Sequence, residues 1–277
     1  MNRIPVLTYH SLHAPGEGYA TNDHMALETD LQIIRMMKFN VAPLTDIARY
    51  VAGTGAAYLQ SGSWVGLSFD DAPDWDYYDF CVDGRRLKSF LTLLRAAADV
   101  ENGFVPCAVS FVIASPDARS VLDRVCIAGN GNWRDTWWED AARSGVLAIG
   151  NHSWDHAHPD VSPDRHRADN RDSFFGIDCF ERADRQIARA EAYINSRTGS
   201  RSVGLFAYPY SDASEYLVQE YFPRYGGQNG IVGAFYGNGE YVTSAASQWK
   251  IPRFECREHW KSPSDLVRIL DGARRGR

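Results

Sequence analysis

The chain has 277 residues, 44% of them hydrophobic, and 29 basic against 35 acidic side chains for a net charge of −6. That balance excludes the clustered basic face a nucleic-acid surface needs, and no apolar run approaches the roughly 18 residues of a membrane-spanning helix. Five widely spaced cysteines, odd in number and without a C-x-x-C pair, fit neither a disulfide framework nor a cysteine metal site.

In chain order, short apolar runs alternate with longer periodic segments. Residues 4–9 read as a strand, and Leu27, Leu31, Ile34 and Met37 mark an amphipathic helix. A shorter helix over 44–51 follows Pro43; 65–69 is a strand, 86–98 a helix with a Leu/Phe face, and 108–113 a strand. Then come a helix over 136–144, a strand over 146–149, the longest helical pattern over 177–196, and strands over 203–207, 231–235 and 249–254. A last helix is signed by Ser262 as N-cap, Pro263 in the first turn and Asp265 three residues on. Loops are expected over 14–24, 72–84, 114–134 and 157–176. Strand–helix alternation from end to end predicts an α/β fold with a parallel sheet, barrel-like or open, and nothing divides residues 1–277 into separate domains.

In such sheets ligands collect at the C-terminal ends of the strands. His10, Asp70-Asp71, Asn151-His152 and Tyr208-Pro209-Tyr210 all fall there. An Asp pair after a strand is by itself a common turn element, and His-x3-His by itself a loose metal spacing. Together they supply more. One Asp with His152 and His156 makes a three-ligand divalent-metal site with a position left for water, and the other Asp is free to take that water's proton. His158 offers an alternative third ligand two residues on. Trp75, Tyr77, Tyr78, Trp133, Trp137, Trp138 and Trp154 lie near this edge, where aromatic faces can stack on sugars or simply pack.

These residues resemble a family. Ser68-Phe69-Asp70-Asp71 is similar to the Thr-Phe-Asp-Asp motif of the polysaccharide deacetylases (carbohydrate esterase family 4, with homology to the nodulation-type chitooligosaccharide deacetylases), and His152–His156 to their His-(Ser/Thr)-x-x-His motif. Ala207-Tyr208-Pro209-Tyr210 resembles the third motif, and Pro5–His10 resembles the opening of a subset of the family. The resemblance implies a distorted, incomplete (β/α) barrel of about seven parallel strands forming a single catalytic domain over 1–277. It implies one divalent metal, Zn2+ first and Co2+, Ni2+ or Mn2+ as alternatives, held by Asp71, His152 and His156. Asp70 would be the base and the Tyr210 backbone N–H an oxyanion donor.

Three departures stand out. Ala72 replaces the usual Gly. The Arg that orients the catalytic Asp is missing from the third motif, and Arg253 is its candidate replacement. The late His used as general acid is also missing; His259, the only late histidine, is the candidate for that role, with His10 and His158 as alternatives. Trp154, His10, His158 and Arg253 are further candidates for contacting the substrate or supporting the site. The expected function is hydrolysis of an N-acetyl group on an amino sugar, in a polysaccharide or its lipid- or nucleotide-linked precursor, in a cytoplasmic, O-antigen-like biosynthetic setting. A small-molecule amide or formamide hydrolase of the same fold, or a non-catalytic carbohydrate-binding protein, are the alternatives. The oligomeric state is left open.

Overall fold

The computed structural model describes residues 2–161 and 173–275. Its first half runs β1 (Val6–His10), α1 (Asp23–Met36), β2 (Asn40–Val41), α2 (Leu44–Val51), β3 (Trp64–Asp70), a hairpin of β4 (Phe80–Val82) and β5 (Arg85–Leu87), α3 (Phe90–Ala97) and β6 (Ala108–Val112). The second half runs α4 (Pro116–Cys126), α5 (Trp138–Arg143), β7 (Leu147–Asn151), α6 (Phe180–Gln186), α7 (Ala188–Thr198), β8 (Ser202–Ala207), a π-helical stretch over Leu217–Gly226, β9 (Gly233–Gly237), β10 (Ile251–Glu255) and α8 (Pro263–Arg275).

Seven parallel strands make the expected distorted barrel. Their order is β1-β10-β9-β8-β7-β6-β3, and β3 pairs with β1 to close the ring. The short β2 adds to β3 at its N-terminal end. The distortion is local: between β7 and β8, Ile149 pairs with Ser202 but Asn151 pairs with Phe206, so β8 carries extra residues across that interval. Gly204 lies in it with φ +64, and a Cβ there would meet the Gly230 carbonyl oxygen at 2.1 Å, so only glycine fits.

Alternation along the strands separates the barrel interior from the layer beneath the helices. Leu7, Tyr9, Leu67, Phe69, Val112, Leu147 and Ile149 face outward and pack beneath α1, α3, α5, α7 and α8. Val6, Val109, Phe111, Leu205, Ala207, Phe235 and Ile251 pack with Leu44, Ile47 and Ala48 of α2, which closes off the N-terminal ends of the strands. The interior is full: a Cβ on Gly150 would stand 2.8 Å from the Phe111 ring and 2.9 Å from Val109 Cγ1. An aromatic ring inside a barrel cannot rotate away, so Gly150→Ala is expected to lower stability by about 1–3 kcal/mol, read as a lower urea midpoint at unchanged m-value.

Three expectations are corrected. The helix placed over 86–98 begins only at Phe90, because Arg85–Leu87 pairs with Phe80–Val82 instead, and Ser89 then caps α3 through Thr92 N–H. The long pattern over 177–196 is two helices broken at Ile187, where the Gln186 carbonyl accepts the Trp154 N–H at 2.8 Å and the Ile187 carbonyl accepts Asn151 Nδ2 at 3.1 Å. The loop over 114–134 contains α4, started by the Ser115 hydroxyl on Ala118 N–H and by Pro116. Of the loop over 157–176, residues 162–172 lie outside those described.

Candidate active site

β3 ends on Asp70, and the chain then turns sharply. Asp71 and Ala72 both take positive φ, +70 and +51, where a side chain costs roughly 1–2 kcal/mol per residue. The turn swings the second carboxylate to the same side as the first, against the strand's alternation, and Trp133 Nε1 braces it by donating to the Asp71 carbonyl at 3.0 Å. Ala72 thus occupies a backbone conformation that favours glycine.

The second loop is shaped by its own polar side chains. Asn151, the last residue of β7, accepts the Ser153 N–H, and Ser153 Oγ accepts the His156 N–H, both at 2.9 Å. Ser153, His156 and Ala157 all have positive φ. So His-x3-His lies on a loop, and strain gathers at the strand ends, as it does at sites that surrounding contacts over-determine.

The two loops bring one Asp71 oxygen to 3.5 Å from His152 Nε2 and 3.2 Å from His156 Nε2. Ligands roughly 2.1 Å from a tetrahedral ion stand about 3.4 Å apart, close to both of these separations, and the three ligand atoms all lie within 4.8 Å of one another. His152 Nδ1 meets the Ala207 carbonyl at 2.9 Å and can donate there, which turns Nε2 toward Asp71; burial would lower this imidazole's pKa, but the Asp70 and Asp71 carboxylates outweigh it and hold it raised. Burial pushes the His156 imidazole below its ordinary value, which favours a neutral ligand.

Asp70 is held differently. Arg253, fully buried inside the barrel on β10, donates to both its oxygens at 2.8 and 2.7 Å and to Ser68 Oγ at 3.2 Å. Ser68 Oγ in turn lies 2.8 Å from Thr8 Oγ. Burial alone would raise the Asp70 carboxyl; the Arg253 charge, helped by His152, outweighs it and carries the group below the usual carboxylate range. Arg253, the candidate replacement for the missing third-motif Arg, is thus paired with both oxygens of Asp70.

Of the other candidates, His10 is the register partner of Asp70 across β1 and β3. The His158 ring lies 6.2 Å from that of His156. His259 is engaged elsewhere: its Nδ1 accepts the Glu255 N–H at 2.8 Å, and its ring lies against Gly239. Tyr210, an exposed residue, sits in a turn with φ +55, and its ring packs edge-on to His156 at 4.5 Å. Trp154 is taken up by packing, with Arg189 over its ring at 3.6 Å and Tyr193 at its edge. Trp75, Trp133, Trp137 and Trp138 are buried, while Tyr78 is exposed. The bracing roles of Trp133 and of Asn151–Ser153 went unread in the sequence. Asn151 and Ser153 are turn-forming residue types that flank His152, a signal that was there; Trp133 carried none.

The polysaccharide deacetylase family model matches residues 108–222, a span that contains His152, His156 and Tyr210 but not the Asp70-Asp71 pair. No curated protein matches. Among solved structures the chain is similar to the Streptococcus pyogenes deacetylase PplD in complex with acetate (TM-score 0.64, 12% identity, 97% of this chain and 98% of that one). It is also similar to a de-N-acetylase from Aggregatibacter actinomycetemcomitans (TM-score 0.64, 15% identity, covering 97% and 100%) and to IcaB from Ammonifex degensii (TM-score 0.62, 18% identity, covering 99% and 97%). The family read from the motifs is the one these comparisons return.

Proposed function

From a chain whose residues 108–222 match the polysaccharide deacetylase family, and whose fold is shared with solved deacetylases, we propose a metal-dependent hydrolase that removes the N-acetyl group of an amino sugar. The observation that carries this reading is the pairing of two differently held carboxylates. Asp71 reaches two imidazole Nε2 atoms at ligand spacing, while its neighbour Asp70 is held by an arginine instead.

Asp71, His152 and His156 would hold one divalent ion, Zn2+ first. Bound there, such an ion supplies a water of lowered pKa and polarises the acetamide oxygen. Asp70, kept ionised by Arg253, takes the proton as water attacks the acetamide carbon. The Tyr210 backbone N–H is assigned to the oxyanion that forms. His10, beside Asp70 across the β1–β3 pair, replaces His259 as the group that protonates the nitrogen when the C–N bond breaks, giving acetate and the free amine. The ring of the exposed residue Tyr210, beside His156, offers a sugar a face to stack on. The proposed setting is surface-polysaccharide (O-antigen-like) assembly in the cytoplasm, which the five free cysteines favour. No helix among the described residues is long and apolar enough to cross a membrane.

Acetate release from a panel of N-acetylated amino sugars, oligosaccharides and lipid- or nucleotide-linked precursors tests the reading. Asp70→Asn is expected to lower kcat about 10²–10⁴-fold, the usual worth of a general base, with the metal retained. Equal activity in Asp70→Asn would reject the assignment of the base.

A further inference from the structure

A second cluster lies on the other side of His10. One ligand atom from each of His10, His13 and Asp23 falls within 4.8 Å of the others, and no other such group outside the Asp71 site occurs among the described residues. Asp23 opens α1 behind the Asn22 cap, and its N–H bonds to the His13 carbonyl at 2.8 Å, which folds the β1–α1 loop back on itself. Asp23 Oδ2 accepts the His10 N–H at 2.8 Å and lies 3.4 Å from His13 Nδ1. Two buried atoms here have no hydrogen-bond partner: His10 Nδ1 and Asp23 Oδ1, the latter on a residue with no exposure at all. Orphaned buried polar atoms are rare and costly, and two in one cluster mark a place built for something else.

We propose that His10, His13 and Asp23 form a second, weaker divalent-cation site whose filling inhibits the enzyme. The inhibitory part rests on the role given above to His10. His13 Nδ1 and Asp23 Oδ2 stand 3.4 Å apart, a long hydrogen bond that also matches the spacing of two ligands on a tetrahedral ion, and Oδ1 of the same carboxylate is the oxygen left without a partner. Closing the remaining distance takes a rotation of the His10 ring, whose neighbour is the His13 ring at 5.1 Å between centroids. Two imidazoles and one carboxylate select Zn2+ or Co2+ over Mg2+ or Ca2+. Weaker binding follows from exposure: the His13 side chain is 34% exposed, so ordering it costs entropy, and water competes for the ion. An ion seated here takes the His10 lone pair, and a ligated imidazole cannot carry the proton that the leaving amine needs. The site therefore acts as a brake that responds to free zinc, separate from the ion used in turnover.

The experiment is metal stoichiometry with Zn2+ and Co2+ near neutral pH on untagged protein, by titration calorimetry and plasma mass spectrometry, together with activity against added zinc. The wild type is expected to take up two ions per chain. His13→Ala and His13→Gln should each take up one, with basal activity unchanged and the inhibitory limb at excess zinc gone. His152→Ala should still bind one ion, at the weaker site. A wild type that binds a single ion, lost in His152→Ala and kept in His13→Ala, overturns the second site and leaves the hydrolase reading standing. A single ion lost in the His13 variants but kept in His152→Ala overturns the hydrolase reading itself. Two ions with unaltered zinc inhibition in the His13 variants would overturn the brake.

Discussion

Replacing Arg253 with Met should cost about 3–5 kcal/mol of stability, because it strands the Asp70 carboxylate inside the barrel without its counter-charge. Native Asp70 has its carboxyl held low, so the pair contributes stability that is present above the unfolded-state pKa and lost as pH falls through the folded value. Without Arg253, burial is left to act on Asp70 and its pKa rises. The acid limb of the kcat/KM profile then moves to higher pH, and part of the lost stability returns as the pH is lowered and Asp70 protonates. Chemical denaturation across pH, paired with the pH–rate profile, checks both. Metal content should be unchanged, since Arg253 bonds to Asp70 and Ser68 and to none of the three ligating atoms. An unshifted acid limb would show that Asp70 is not the base, or that Arg253 does not tune it. Arg253→Lys should recover only part of the effect, because a point charge cannot replace two parallel N–H bonds.

His152→Ala should abolish tight zinc binding at the Asp71 site and lower kcat/KM about 10³-fold or more, since the activated water and the polarised carbonyl are lost together. Its imidazole is buried and spans two elements, joining Asp71 on one side to the Ala207 carbonyl of β8 on the other. Asp71 would then keep only His156 as a partner at ligand distance. Circular dichroism and a denaturation curve separate loss of metal from loss of fold. Retention of wild-type activity and of tight zinc binding would remove the Asp71–His152–His156 site from the mechanism.

The candidate site residues could be singled out in the sequence because apolar runs that form strands lead into them. Val65–Phe69 leads into Asp70-Asp71, and the run ending in Ile149 leads into Asn151-His152, with His156 four residues on. Arg253 could be suspected for the same reason, being two residues from the interior-facing Ile251 on β10. What joins Arg253 to Asp70 is barrel closure, across 183 positions of sequence, and local pattern carries no sign of it. Trp133 is a similar case. It read as one aromatic among many, and only the folded chain shows its N–H holding the Asp71 turn. The break at Ile187 was hidden because the carbonyls that interrupt the helix answer to Asn151 and Trp154, on another segment. Nor does local pattern show that the Glu255 N–H bonds the His259 ring nitrogen, or that the β1–β3 register sets His10 beside Asp70.

The closing strand has a consequence for synthesis. β10 is the last strand of the ring and slots between β9 and β1, the latter made nearly 250 residues earlier. While the chain is still emerging, β9 and β1 present open edges to one another, and Asp70 has no guanidinium to neutralise it. The barrel therefore cannot be completed in stages from the N-terminus. Its final step awaits emergence of β10 itself, which joins strands far apart in sequence and so adds to the contact order of the fold. A chain stalled or clipped before residue 251 would carry every proposed metal ligand and still lack a finished wall, leaving two sticky edges for chaperones to guard.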